Sequence, residues 1–406
     1  MSVIVIVGAS HAAVEVIANL RKKGCTDKII LVGEEPYLPY HRPPLSKDYF
    51  KGEIQEKDLL LRERSFYELA EVELKLNCRA TAIERQGNIL KLEDGSKLNY
   101  DKLILATGTR PRTLPVAEAL SDKLHYLRNK QDIDRILDQQ HEQSKLLIIG
   151  AGYIGLEVAA SAISKQNKVT VVETADRVLA RVTSPLISEF YQSVHEDNGV
   201  QFILDAQLQG FRDDNGAQAI LTDNTTIPFD IGIIGIGVIP NIELASKAGL
   251  ACDNGILVDQ HGCTEDPDIY AIGDCSNHPS VLYNRRLRLE SIPNAAEQAK
   301  VAAGHLCGEN IIHDAIPWFW SDQYDIKLQT AGLLQGYDHV VTRGDVKAGK
   351  FSAFYLKKGR LVAMDAVNSP ADFLQSKKLI QQEIHPAPDM LADTTIPLKT
   401  LLTQVT

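Results

Sequence analysis

The 406-residue chain has six cysteines, Cys25, Cys78, Cys252, Cys263, Cys275 and Cys307, and no two stand at CxxC or CxxxxC spacing. An iron–sulfur cluster, a zinc knuckle and a dithiol–disulfide centre therefore have no support. No metal is expected, and inert thiols in a reducing compartment remain as the reading. No apolar run approaches the roughly 18 residues of a membrane span. The opening MSVIVIVGAS lacks the basic region and cleavage site of a signal peptide and reads as a buried strand. No membrane association is expected, and the expected compartment is the cytoplasm. Positive charge is also scarce: 43 basic residues face 53 acidic ones, for a net charge of -10. General nucleic-acid binding needs a basic surface, so no nucleic-acid partner is expected.

Two segments about 140 residues apart share one pattern. The first is VIVIVGASHAA at residues 3–13, a helical stretch to Lys23, then KIILVGE at 28–34. The second is LLIIGAGYIG at 146–155, a helical stretch to Lys165, then KVTVVE at 168–173. Each has a β-branched run, a glycine turn, an amphipathic helix and a second apolar run ending in an acid. That is a βαβ unit, made twice. Further apolar strands are predicted at 103–110, 231–240 and 269–274, and a helix from Asn294 to Cys307 after Pro293. Beyond Pro317, alternating runs at 350–356 and 360–365 predict an antiparallel sheet, followed by helix near 371–382.

The second turn, Gly150-x-Gly152-x-x-Gly155, has the properties of a dinucleotide site. Gly150 permits a tight turn, Gly152 lets backbone approach a pyrophosphate, and Gly155 allows close helix–strand packing. Tyr153 and Ile154 open the helix, whose free N–H groups and dipole favour an anion. Glu173, 23 residues after Gly150, would accept the adenosine ribose hydroxyls and repel a 2′-phosphate, which favours NADH. The first turn is degenerate, with Ser10 and Ala13 standing where glycines are usual after Gly8; His11 and Ala12 lie between them. Its ribose acid is Glu34, directly after the strand and Gly33, or the adjacent Glu35. Two such sites in one chain predict bound FAD and NADH as substrate. Asp274, after Gly273 at the end of an apolar strand, could bind ribityl hydroxyls.

Four longer strings carry a resemblance: PYHRPPLSK at 39–47, GYIGLE at 152–157, WFWSDQY at 318–324 and VNSPADF at 367–373. With them, nearly the whole chain resembles the FAD-dependent ferredoxin reductases that serve bacterial aromatic-ring dioxygenases and cytochrome P450 systems. The resemblance implies an α/β fold, glutathione-reductase-like. Two Rossmann-like dinucleotide-binding domains are followed by a C-terminal α+β domain. Residues 1–111 and 236–315 would form the FAD-binding domain, 112–235 the NAD-binding domain and 316–406 the C-terminal domain. Arg42 and Lys47 would face the FAD, with Lys47 near the flavin N5 and paired to Glu157 beside the nicotinamide. Ala80 would touch the adenine; Thr107, Gly108 and Arg110 would lie along the cofactor. Ile292 and Trp320 would sit by the flavin. Arg181 would assist the NAD phosphates or ribose, and Gly237 the nicotinamide half.

Disulfide-reducing relatives of that fold carry reactive cysteines after the first βαβ unit, where residues 26–77 here have none. Electrons would therefore leave the flavin for a one-electron acceptor, a [2Fe-2S] ferredoxin feeding an oxygenase. The rival readings are a rubredoxin reductase, a signalling flavoprotein of the apoptosis-inducing-factor type and a monodehydroascorbate-type reductase. A homodimer is compatible with all of them. Because the chain is acidic overall, ferredoxin docking would need a local basic patch, and the candidate is Arg285, Arg286 and Arg288, three arginines within four positions ahead of the flavin-side helix.

Overall fold

The computed structural model describes residues 2–120, 122–214 and 216–402. They divide into two compact units. The first is Met1–His41, Glu56–Arg110 and Ile239–Pro317; the second is Arg42–Gln55, Pro111–Val238 and Trp318–Thr406.

The first unit is built on a five-stranded parallel sheet in the order Ile269–Ala271, Lys102–Leu105, Val3–Val7, Lys28–Val32, Val72–Lys75. The continuous Val/Ile runs of its inner strands follow from burial on both faces. One face is covered by the helices His11–Lys22 and Ile292–Leu306, which share a core containing Val16, Ile17, Leu20, Ala299, Ala302 and Ala303. Each fully buried Val, Ile or Leu side chain there contributes about 1.5–3 kcal/mol, and each alanine methyl less. The other face meets Ile83, Leu90, Leu92, Ala245 and Leu250. Strand order reverses at Val3–Val7, between Lys28–Val32 on one side and Lys102–Leu105 on the other. In open α/β sheets that switch point is where a ligand crevice forms.

The second unit repeats this arrangement. Its parallel sheet runs Gln201–Ile203, Lys168–Val172, Lys145–Ile149, Ile231–Ile234, Leu124–Tyr126. Helix Tyr153–Ser164 follows the central strand. The C-terminal segment adds a five-stranded antiparallel sheet, ordered Trp318–Gln323, Ile326–Gly332, Arg360–Val367, Lys350–Lys357, His339–Asp345, with helix Pro370–Gln381.

Several predicted boundaries move. The strands expected over 103–110 and 269–274 end at Leu105 and Ala271. The strand expected over 231–240 ends at Ile234, where the chain turns through Gly235. The helix expected from Asn294 starts at Ile292. Pro293 fits within its first turn, where no N–H is required, and the Ser291 side chain accepts the Asn294 N–H at 3.3 Å. No helix among the described residues is long and apolar enough to cross a membrane.

Candidate functional site

The two glycine turns are built by the same backbone contact. A Cβ at Gly8 (φ 107°) would lie 2.1 Å from the Ala106 carbonyl oxygen. One at Gly150 (φ 103°) would lie 2.5 Å from the Gly235 carbonyl oxygen. In both units the carbonyl belongs to the residue just beyond the neighbouring strand, so only glycine fits. Gly155 closes the second turn against the Gly150 carbonyl, which a Cβ would approach to 2.2 Å. Gly152 differs: nothing lies within 4 Å of where its Cβ would be. The helix beginning at Tyr153 has Gly152 at its N-cap and no side chain capping it. In the first unit Ser10 occupies the N-cap and also leaves the helix uncapped; its hydroxyl turns to His11 Nδ1 at 3.4 Å. Ala12 and Ala13 are buried against the core, and Ile154 is exposed on its helix. Neither helix start is capped by a side chain, the condition under which an anion can take that place.

The acids after the second strands have different surroundings. Glu173 accepts the Ala151 N–H at 2.7 Å on one oxygen and the Ala175 N–H at 3.0 Å and Thr174 hydroxyl at 3.1 Å on the other. It is thus fixed to the turn it serves. In the first unit Glu35 accepts the Tyr40 hydroxyl at 2.5 Å, while Glu34 is exposed and 3.8 Å from Arg79. Ala80 opens the strand Ala80–Glu84 beside a β-bulge.

Near the switch point, the Thr109 hydroxyl lies 3.4 Å from Asp274 Oδ2, and the Gly273 N–H donates to Gln298 at 2.6 Å. Thr107 and Asn241 exchange bonds of 2.7 and 2.8 Å, and the Gly108 carbonyl accepts the Asn241 N–H at 2.9 Å. Arg110 is committed to Asn241 and Glu243 at 2.9 and 2.6 Å. Ile292 is the first residue of its helix.

In the second unit the Pro-rich loop makes a stiff single turn, Pro43–Ser46, anchored by buried Leu45 and followed by Phe50 in the next helix. Lys47 emerges between the two, with Nζ 3.1 Å from Glu157 Oε1 and 3.7 Å from Asp322 Oδ2. Glu157 is only 6% exposed. Its Oε2 accepts Ser46 Oγ at 2.7 Å and its Oε1 accepts Ser321 Oγ at 2.6 Å. Burial pushes the Glu157 carboxyl above its usual range, against the pull of the Lys47 charge and the two serine hydroxyls. Behind Ser321, Gln323 Nε2 donates to Ser321 Oγ at 3.2 Å, and its Oε1 lies 2.8 Å from His195 Nε2. Burial drops the His195 pKa to about 4, so the ring is neutral at ordinary pH. Sequence reading did not single out Ser46, Ser321, Gln323 or His195. Arg42 donates to the Arg128 carbonyl at 2.9 Å. Arg181 lies against Gly237, where a Cβ would come within 3.5 Å of its guanidinium. Trp320 is half-buried, 5.7 Å from the Trp318 ring and 6.4 Å from that of Phe319.

The arginine cluster is less available than its spacing implied. The Arg286 guanidinium donates to the Val258 and Asn277 carbonyls. Arg288 pairs with Glu290 at 2.6 Å and reaches the Asp274 carbonyl at 3.3 Å. The six cysteines are all free thiols, and burial raises the pKa of Cys78, Cys252, Cys275 and Cys307, and that of Cys263 to about 11.

A family model described as pyridine nucleotide-disulphide oxidoreductase matches residues 2–299, and one described as reductase C-terminal matches residues 318–402. The chain is 45% identical over 406 residues to putidaredoxin reductase of Pseudomonas putida, covering 98% of this chain and 96% of that protein. It is 40% identical over 398 residues to rhodocoxin reductase of Rhodococcus erythropolis, covering 98% and 93%. Among solved structures, the covalent putidaredoxin reductase–putidaredoxin complex aligns with a TM-score of 0.96 and 44% identity, covering 99% of this chain and 98% of that one.

Proposed function

The chain belongs to the pyridine nucleotide-disulphide oxidoreductase family, and from that premise we propose that it is a cytoplasmic NADH:ferredoxin oxidoreductase supplying an oxygenase. Bound FAD would supply the conversion between two-electron hydride chemistry with NADH and single-electron transfer to a [2Fe-2S] ferredoxin. Oxidation of one NADH reduces two ferredoxins and releases one proton.

The observation that carries the reading is the doubled dinucleotide turn, one in each unit, each with an uncapped helix N-terminus behind it. The residues present fit two dinucleotides. Gly152 leaves open space where a pyrophosphate needs close backbone approach, and Glu173 is fixed beside it. Residues 1–111 and 236–315 are read as the FAD-binding domain and 112–235 as the NAD-binding domain. Gly8, Ser10, His11, Ala12, Ala13 and Glu34 would hold the FAD pyrophosphate and ribose, with Asp274 on the ribityl chain. Three of the roughly four acceptor positions of Glu173 are occupied, which leaves one for a ribose hydroxyl. A 2′-phosphate would meet its charge. Arg181 would supply a cation for the NADH phosphates or ribose. Lys47 is the catalytic residue assigned to the flavin edge, and Glu157 holds its ammonium.

The relatives are named as reductases of putidaredoxin, rhodocoxin and ferredoxin, and putidaredoxin reductase was solved in a covalent complex with putidaredoxin. Here the raised thiol pKa values leave few thiolates for disulfide chemistry, which supports an acceptor of the same class. The test is anaerobic stopped-flow spectroscopy of the FAD-loaded protein. NADH should bleach the flavin, and a [2Fe-2S] ferredoxin should then be reduced at two equivalents per NADH. Reduction of rubredoxin with no reduction of ferredoxin would assign the rival acceptor. Flavin bleaching with neither iron protein reduced would move the reading to a signalling flavoprotein.

A further inference from the structure

Asp365 lies on the strand Arg360–Val367 and is 1% exposed. Its Oδ2 accepts the hydroxyls of Thr183 and Tyr355, each at 2.6 Å, and the Tyr355 hydroxyl lies 2.9 Å from Ser184 Oγ. No ion pair reaches Asp365 among the described residues. The titratable groups facing it are Tyr355 from the adjoining strand, Tyr191 from helix Pro185–Asp197 and Tyr153 from helix Tyr153–Ser164. None is a cation, and burial raises all three phenols. Burial likewise lifts the Asp365 carboxyl to about 6, so the ionised form is disfavoured where it stands. A buried carboxylate with hydroxyl partners alone is a poor stabilising device.

What it holds is the segment 177–184. Arg177 donates to the Ala180 carbonyl at 2.8 Å and the Thr183 carbonyl at 3.1 Å. The Leu179 N–H donates to the Ala151 carbonyl, inside the second glycine turn, at 2.9 Å. Leu179 takes φ 54°, a left-handed conformation rare for a branched residue. The segment thus runs from the glycine turn at one end to Asp365 at the other. Arg181, between them, is aimed at Gly237.

We propose that Asp365 is a positioning residue for NADH: through Thr183 it fixes the segment that carries Arg181, so the C-terminal sheet sets coenzyme affinity. This rests on the second unit being the NADH site.

The experiment uses FAD-loaded full-length protein, NADH, and ferricyanide as a one-electron acceptor independent of docking. Thr183→Val, which keeps the shape and loses the donor, and Asp365→Asn should each raise the KM for NADH by roughly tenfold, with kcat within about twofold of wild type. Thr183→Ser, which keeps the hydroxyl, should behave as wild type; a merely structural role would not give that rescue. In wild type the KM should rise as pH falls from about 7.5 to about 5.5, because protonating Asp365 weakens a charge-assisted bond, and Asp365→Asn should lose that step. Unchanged NADH KM in both Thr183→Val and Asp365→Asn, in a wild type that NADH does reduce, overturns this inference alone. A wild type whose flavin NADH does not reduce overturns the coenzyme assignment and this inference with it.

Discussion

Lys47→Met removes one ammonium and keeps the hydrocarbon stem, which makes it a direct probe of the Glu157 site. In the wild type the ammonium is 3.1 Å from a carboxylate that is 6% exposed. Removing one partner of a buried pair commonly costs about 3–5 kcal/mol, because the other charge is left without compensation. That is the upper figure here, since the carboxyl can take a proton and Ser46 and Ser321 remain bonded to it. The escape route fixes the pH dependence. The Glu157 pKa is already raised in the folded protein and rises further once the Lys47 charge is gone. A carboxyl whose folded pKa is raised contributes stability below its unfolded pKa, and that contribution is lost as pH climbs through the folded value. The deficit of Lys47→Met should therefore be small near pH 5 and largest near pH 8. At about 2–4 °C per kcal/mol for a unit of this size, the first thermal transition of the FAD-loaded protein should fall by roughly 6–20 °C at the higher pH. Adding Glu157→Gln should recover most of the loss, because the amide needs no counter-charge. Equal losses at both pH values, or no recovery in the double variant, would refute the account.

The remaining expectations address the coenzyme and the core. Glu173→Ala should narrow the NADH over NADPH preference measured as a ratio of kcat/KM; a wild type that uses both equally would remove Glu173 from the ribose site. Gly152→Ala should fold normally, since its methyl meets nothing within 4 Å, yet raise the NADH KM at least tenfold by standing where a pyrophosphate approaches. Gly150→Ala, with its Cβ 2.5 Å from a backbone oxygen, should instead lose thermal stability. Asp365→Asn should flatten the stability–pH profile between about pH 4 and 6: with the wild-type carboxyl raised to about 6, stability fully present at the acid end is lost as pH rises through that value, by about 3 kcal/mol in all. Urea unfolding across that range would read the slope, and parallel profiles for the two proteins would count against a raised carboxyl.

What could be read in the sequence follows from where physics restricts residue type. The turns at Gly8 and Gly150 are legible because a neighbouring carbonyl stands where any side chain would begin. The parallel sheets are legible because burial on two faces demands unbroken Val/Ile runs. The supports of Glu157 are not legible: Ser46 and Ser321 lie 111 and 164 positions from it, and a serine advertises no partner. Asp365 reads locally as the polar member of an alternating strand. Five of the six residues 362–367 around it, itself among them, are nonetheless buried, because the sheet is covered on both faces there. The arginine cluster illustrates the converse, since charge spacing along the chain does not reveal that the carbonyls of Val258 and Asn277 accept from Arg286.

The left-handed backbone at Leu179 also bears on the thermodynamics of coenzyme capture. A leucine at φ 54° is held there by the Ala151 carbonyl and by its own buried side chain, at a conformational cost of about 1–3 kcal/mol met when the chain folds. With NADH bound where we propose, this segment would offer no loop to order. Its binding should therefore show a heat-capacity change no larger than the apolar area it covers requires, without the excess that accompanies coupled folding. Leu179→Gly would relax the conformation and return that ordering to the binding step, where calorimetry would register it as a more negative entropy.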